Sequence, residues 1–587
     1  MKKDTRGDVL LSRREVMIGA GLAAGAVSTL GIAGRALAAE DRAGQPQHWD
    51  METDVLCVGS GAAACAAAVT AVAKKAEVIV VEKMPMAGGT TGKSGGVTWI
   101  PNNKYMLALG IEDTREDALR YMARYAYPNL YYAEGETLGL PRPLFELMEA
   151  FYDNGSKMVE WFEELDAVTF RQFRMWDVDT PPPDYGDHLP ENKAFNARAL
   201  EPAVGASSAG GGGSLAYQME TWLEKHGVPI LLEHRAIGII REGGRVVGLK
   251  VRNNEKTLNI RARKAVIFGS GGYAHNVELI QLHQPGLYGS CAAASSTGDF
   301  IPMAQEAGAR MGDLSTAWRT PVVLEQALGN RAVPHGVFFA PGDSMINVNK
   351  HGVRVMNEKR NYNDRTQAHF VFDPVNAEYP NRFMFMVFDE RSLDRYAGAL
   401  PFPADKRDRA WLIEGKAPQD LAANIASRLD SLAASIGVFR LGEGFASNLE
   451  TTIERYNGFA ETGRDEDFQR GYHEYDKVWH KLFSPVSKNA QFPDNDKPNP
   501  TMYPIDRNGP LYAVILAPGA LDTSGGPAIN ANAQVLAPSG EPIPGLYGAG
   551  NCIASPSGPA YLGAGGTIGL ALTFGYLAAL HATEQAR

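Results

Sequence analysis

A chain of 587 residues, 44% hydrophobic and 21% charged, has the composition of an ordinary soluble enzyme and is too long for one compact core, so two or more folded lobes are expected. A formal net charge of -10 provides no basic face, which argues against nucleic acid as a partner. Cys57, Cys65, Cys291 and Cys552 stand in no C-x-x-C or C-x-x-C-H arrangement, so zinc ribbon, redox dithiol and attached haem are excluded; the cysteines read as small hydrophobes and no metal site is predicted.

The first forty residues read as an address. A basic start leads to Arg13-Arg14, an apolar Gly/Ala-rich run over 16–34 and Ala36-Leu37-Ala38, the n-region, h-region and A-x-A order of an export signal. The paired arginines resemble those of a twin-arginine leader, so residues 1–38 are expected to direct the folded protein to the periplasm or otherwise out of the cytoplasm and to be cleaved near Ala38, rather than to remain as a transmembrane anchor. No second long apolar run follows, and no stable membrane insertion of the mature chain is expected.

Residues 54–58 form a short buried-strand pattern, followed by Gly59-Ser60-Gly61-Ala62-Ala63-Ala64 as G-x-G-x-x-A, an alanine-rich helix to about Lys74 and a second strand over 77–81 ending at Glu82. This is the strand-turn-helix-strand-acid unit that binds a dinucleotide. Gly59 makes the tight turn, Gly61 admits the pyrophosphate, Ala64 permits close helix-sheet packing, and Glu82 is placed for the ribose hydroxyls. The unit alone does not distinguish NAD from FAD.

The stretch from Glu82 and Lys83 through Gly89, Thr90, Thr91, Ser94, Gly95 and Gly96 to TWIPNN at 98–103 is a run of glycines and small hydroxyls. It resembles the loop that wraps FAD in the fumarate reductase and succinate dehydrogenase flavoproteins. Further matches are Ala265 to Gly272, with Gly269, Ser270 and Gly271; Thr297-Gly298-Asp299; Gly545 to Asn551, with Gly550 and Asn551; and Gly565-Gly566-Thr567-Ile568-Gly569. The resemblance implies an α/β fold with FAD as cofactor, and Ala236 joins these residues as a cofactor contact. The first glycine-rich loop holds no histidine, so non-covalent FAD follows. It also implies a discontinuous Rossmann-like FAD-binding domain over 50–315 and 508–587, with an insert at 109–199 and an inserted α+β capping and catalytic domain at 316–507. The tract 235–268, with a turn at Gly243-Gly244, alternates as a small antiparallel meander. Residues 206–213 read either as a flexible linker or as a loop touching the flavin.

Dicarboxylate-handling members place an arginine before the C-terminal Gly-Gly, because a carboxylate suits a forked cation; no arginine or lysine lies between Asn551 and Ala586. The pattern Y-x-G-x-G-G-T-I-G from Tyr561, with TWIPNN and Phe195-Asn196-Ala197-Arg198, resembles the 3-ketosteroid Δ1-dehydrogenase branch. There a tyrosine and a backbone N–H polarise the ketone oxygen, matching Tyr561 and Gly565. A base tyrosine follows an Asn-Glu pair, matching Tyr362 after Asn357-Glu358, and a supporting tyrosine corresponds to Tyr185. Tyr-Leu-Gly-Ala-Gly stands here where that branch usually shows Tyr-Pro-Gly-Pro-Gly. The resemblance implies dehydrogenation of a cyclic 3-ketone, a 3-ketosteroid or similar alicyclic ketone, to its α,β-enone with hydride transfer to flavin N5. Electrons would then pass to a quinone or redox protein. The rival readings are an ene-reductase of enones or enoates, of fumarate or urocanate type, and an electron-transfer subunit without a substrate. Arg354, Arg360 and Arg365, in a strongly polar run, read as solvated surface residues rather than as holders of an anionic substrate group.

Overall fold

The computed structural model describes residues 46, 48–174, 180–203, 211–405 and 407–585; the expected export signal and residues 206–210 of the glycine-rich run lie outside them. Two large sheets organise the fold. The eight-stranded one runs Gln534–Leu536, Pro542–Gly548, Lys256–Phe268, Met51–Val58, Val78–Val81, Ile230–Leu231, with Arg235–Glu242 and Arg245–Asn253 branching from it. Its centre is parallel: Val55 pairs with both Val78 and Ala265, and Tyr547 pairs with Ile267. Strands buried on both faces read as continuous apolar runs, as residues 78–81 and 265–268 do. The tract 235–268 is the antiparallel meander, and its last strand continues into the parallel sheet beside Met51–Val58.

Helix Ala62–Ala73 packs on this sheet and against the long helix Gly566–Glu584. The two backbones approach so closely that a Cβ on Gly575 would come within 2.3 Å of the Ala63 carbonyl, so small residues are required at the crossing. Helix Gly566–Glu584 is long and apolar enough to cross a membrane by length and composition. Most of it is buried within the protein, which accounts for its uniformly apolar character.

The second sheet has six strands, ordered Gly289–Ser290, Leu511–Ser524, Met384–Asp389, Met345–Val348, with Thr316–Val323 and Ile413–Gly415 also pairing to Leu511–Ser524. That 14-residue strand lies within 508–587, the stretch expected to close the FAD-binding domain. Residues 511–524 have their partners in the second sheet, and the chain adds strands to the first sheet from Gln534–Leu536 onward. In the insert, helices Arg115–Ala126 and Arg142–Glu164 precede strand Ala199–Pro202, which pairs with Thr98–Trp99. Gly211 to Gly213, the described part of the glycine-rich run, open helix Gly211–Lys225. A Cβ at Gly212 would meet the Thr91 carbonyl at 1.9 Å, so these glycines let the helix pack on the loop 91–96.

Candidate active site

Between the sheets lies a cavity of about 510 Å³. All the expected cofactor contacts line it except Gly566. Gly566 instead donates its N–H to the Gly563 carbonyl (3.0 Å) as the first residue of its helix. The Gly59 turn has φ +100°, and a Cβ there would lie 2.7 Å from the Gly269 carbonyl oxygen, so the two glycine motifs of the central strands interlock. Helix Ala62–Ala73 starts from Gly61, which has no side chain to cap it, carries no acid in its first turn, and gives the Ala62 N–H to Thr91 Oγ1 (2.9 Å). Glu82 is buried, accepting from the Ser60 hydroxyl (2.8 Å) and the Met84 N–H (2.9 Å). Lys83 and Arg235 both bond Asp299. The four cysteines are free; Cys291 lines the cavity with its thiol pushed up to about 12 by burial.

Tyr185, Tyr362 and Tyr561 also line this cavity and are in mutual contact. Their ring centroids are 5.4 Å (185–362), 5.2 Å (185–561) and 5.5 Å (362–561) apart. The hydroxyls of Tyr185 and Tyr362 share a hydrogen bond of 2.9 Å. Burial raises the pKa of Tyr561, while the Tyr362 and Thr567 hydroxyls and the Gly565 N–H oppose that rise. Burial pushes Tyr362 well above the usual phenol value, and its tyrosine neighbours push it further in the same direction. Around the tyrosines stand Phe173, Trp318, Phe338, Phe339 and Trp479, none marked by the sequence motifs. Buried Asp522 was also missed; it accepts from Gly272 N–H, Ser296 Oγ and Asn551 Nδ2 at the cavity wall.

The tyrosines are held by polar groups that turn inward. Arg198 is fully buried and grips Asp113 with two nitrogens (2.8 and 2.7 Å), Asp184 at 2.6 Å and Asn192 at 2.7 Å. Asp184, next to Tyr185, also accepts from the Trp99 indole (2.9 Å), and the Trp99 backbone N–H donates to the Gly565 carbonyl (3.1 Å). Around Tyr362 the expected solvated surface is corrected. Arg354 and Arg365 are buried and Arg360 is nearly so. Arg354 bonds Glu358 and Asp465, and Arg360 bonds Asp187, Asp476 and the Tyr185 carbonyl. Most of these partners lie more than a hundred residues away in the chain, so the polar run alone could not show that it faces inward.

A family model described as an FAD binding domain matches residues 54–568. The 3-oxosteroid 1-dehydrogenase of Mycobacterium tuberculosis H37Rv is 31% identical over 91% of this chain and 99% of its own length. The chain is an FAD-binding flavoprotein of the 3-ketosteroid Δ1-dehydrogenase-like branch. A second relative of this flavoprotein, the 4-oxocyclohexanecarboxylate 2-dehydrogenase of Sinomonas cyclohexanicum, is also 31% identical, over 91% of this chain and 93% of its own. The crystal structure of 3-ketosteroid delta1-dehydrogenase from Sterolibacterium denitrificans in complex with 1,4-androstadiene-3,17-dione superposes with a TM-score of 0.73 at 27% identity, covering 91% of this chain and 99% of that one. The mixed α/β fold is therefore that of the flavoprotein dehydrogenases.

The residues present fit FAD. The side-chain-free wall at Gly59, Gly61, Gly95 and Gly96 leaves room where a pyrophosphate must approach backbone, and the helix start at Ala62, with Thr91 Oγ1 on its N–H, lines the same space. At Gly96, with φ +68°, an added Cβ would come within 2.3 Å of the Gly211 backbone. Gly96→Ala is therefore expected to purify folded but largely free of flavin, as read from the ratio of visible to protein absorbance; full occupancy would contradict the assignment of this wall.

Proposed function

We propose that this flavoprotein dehydrogenates a cyclic ketone, a 3-ketosteroid or a smaller alicyclic ketone, to its α,β-unsaturated ketone. The observation that carries this reading is the convergence of Tyr185, Tyr362 and Tyr561 with the Gly565 N–H on the aromatic part of a cavity that fits FAD. Tyr561 O–H and Gly565 N–H donate to the ketone oxygen and stabilise the enolate charge that forms there. Tyr362 takes the proton from the activated carbon, and Tyr185 holds the Tyr362 oxygen. FAD, when bound, would supply the acceptor for the second hydrogen as hydride, so a proton and a hydride, two protons and two electrons in all, leave the substrate for each double bond formed. The rings of Phe173, Trp318, Phe338, Phe339 and Trp479 suit an apolar ring system.

In this reading the eight-stranded sheet is a Rossmann-like, discontinuous body that binds FAD non-covalently. The six-stranded sheet, with the helices that follow it, is the cap that supplies Tyr362, and Leu511–Ser524 belongs to that cap. The enzyme is exported folded by the twin-arginine route and passes its electrons to a quinone or redox protein.

Anaerobic stopped-flow mixing of the holoenzyme with 4-androstene-3,17-dione and with 4-oxocyclohexanecarboxylate tests the reading. Bleaching of the flavin band by either ketone is expected. If neither ketone bleaches it, and an enone or enoate instead reoxidises pre-reduced enzyme, the reaction runs as a reduction and the reading is wrong.

A further inference from the structure

One buried guanidinium, Arg365, and one half-buried guanidinium, Arg319, flank the short helix Tyr362–Gln367 without a carboxylate partner among the described residues. Arg365, on the helix, is 3% exposed. Its Nη2 donates to the carbonyls of Val337 (3.2 Å) and Phe338 (2.8 Å), while Nε and Nη1 have no hydrogen-bond partner. Arg319, on strand Thr316–Val323, donates its backbone N–H to Asn363 Oδ1 (3.0 Å), lies 4.1 Å over the Phe370 ring, donates Nη2 to Gln284 (3.0 Å) and has no partner for Nη1 among the described residues. The other buried arginines nearby behave differently: Arg198, Arg354, Arg360 and Arg391 each grip a carboxylate. The acidic groups that act on Arg365 are the Tyr475 phenol and Glu358, and Glu358 is already held by Arg354 and Arg470.

A buried charge left uncompensated is costly, so Arg365, with the inaccessible Nη1 of Arg319 beside the same helix, implies a negative partner that exists during turnover. The phenols are placed to supply it. Tyr475, coupled to Arg365, packs its ring 5.4 Å from Tyr185, whose hydroxyl meets that of Tyr362 at 2.9 Å. Phe338, whose carbonyl Arg365 holds, packs 5.3 Å from the Tyr362 ring. We propose that Arg365 and Arg319 are positioning residues whose uncompensated positive charge favours loss of one proton from the hydrogen-bonded pair Tyr185–Tyr362, providing the phenolate that accepts the substrate proton. This rests on the reading of Tyr362 as the base.

The other charged and titratable groups around the pair leave that field in place. Arg360 is neutralised by Asp187 and Asp476, Asp364 is held by Tyr125 and Asn361, and Asp184 by Arg198. Tyr561 and Tyr475 are themselves buried phenols, and His335 stands on the cavity wall. His369 is driven down to about 4 by burial, with Arg365 and Arg319 adding to the shift, so it is neutral where the enzyme works.

The test is the pH dependence of flavin bleaching by 4-androstene-3,17-dione in holoenzyme, together with a titration of tyrosinate absorbance that needs no substrate. In Arg365→Gln, and in Arg319→Gln, the alkaline midpoint of both curves is expected to rise by about one pH unit, lowering the rate near neutrality about tenfold, because each unit corresponds to a tenfold change in phenolate. Arg365→Lys, which keeps the charge, is expected to restore the wild-type midpoint. Rates that fall equally at every pH, with both midpoints unmoved, would reduce Arg365 to a support of the Phe338 loop and overturn the proposal. Should Arg365→Gln fail to fold, the midpoint in Arg319→Gln decides. Full bleaching by Tyr362→Phe is a separate result that would remove the base reading itself.

Discussion

Tyr561→Phe and Tyr362→Phe are each expected to slow flavin reduction by a cyclic ketone by about 10²–10⁴-fold, the range seen when an oxyanion donor or a positioned base is lost. Both hydroxyls sit in one contact cluster of buried rings, and neither substitution changes side-chain volume by more than one atom, so flavin content should stay at the wild-type level. The two variants differ in where the loss falls. Without the Tyr561 hydroxyl, the ketone keeps a single donor, Gly565 N–H, and the enolate forms against a higher barrier. Without the Tyr362 hydroxyl, the ketone still binds and is polarised, so binding measured with 1,4-androstadiene-3,17-dione should survive while turnover does not. A variant of either tyrosine that bleaches at the wild-type rate would show that the cluster packs the site and does no chemistry.

Arg198→Leu is expected to be the most damaging single change to the fold, costing about 3–5 kcal/mol, the usual range when one partner of a buried ion pair is removed. It leaves Asp113 and Asp184 buried without their cation, and it releases Asp184 from its tie to the Tyr185 and Trp99 segments. Denaturant unfolding of the variant measures the loss, and a cost below about 1 kcal/mol would mean that the cluster is solvated in solution. Asp184 adds a pH signature. Burial, outweighing Arg198, raises its carboxyl to about 7 in the folded protein, above the roughly 3.9 of an unfolded aspartate. The native state therefore binds the extra proton between these values, and this group's contribution to stability falls as pH rises from about 4 to about 7. Asp184→Asn should flatten that slope in thermal melts taken across the same range.

The parts of the protein legible in its sequence are those where chemistry acts over a few neighbouring residues. The strand-turn-helix from Met51 to Ala73 is visible because alternation, glycine spacing and an acid at Glu82 lie within about thirty residues. The meander at 235–268 is visible because its turns are local. Tyr362 and Tyr561 were found by resemblance, since nothing in their immediate surroundings distinguishes them from twenty other tyrosines. What stayed hidden depends on partners brought from afar. Arg354 and Arg360 looked solvated because Asp465, Asp476 and Asp187, which neutralise them, are distant in the chain. The aromatic wall of Phe338, Phe339 and Trp479 carries no motif, because an apolar surface can be built from any large ring. The pairing of strand Leu511–Ser524 with the second sheet was not legible, because an apolar run does not reveal which neighbours it will pair with.

The central sheet also bears on how the protein is made. Its strands Met51–Val58, Lys256–Phe268 and Pro542–Gly548 lie side by side, although nearly the whole chain separates the first from the last. The helix that seals its face, Gly566–Glu584, comes later still. While a ribosome is still adding residues, the nascent chain can form the early hairpins but cannot close this sheet. Sheets joined by such distant segments fold slowly and expose unpaired edges until the last piece arrives. The wall that receives the flavin, which needs Gly550 and Thr567 as well as Gly59, is thus completed only once these late segments have emerged, so the cofactor can load only after them.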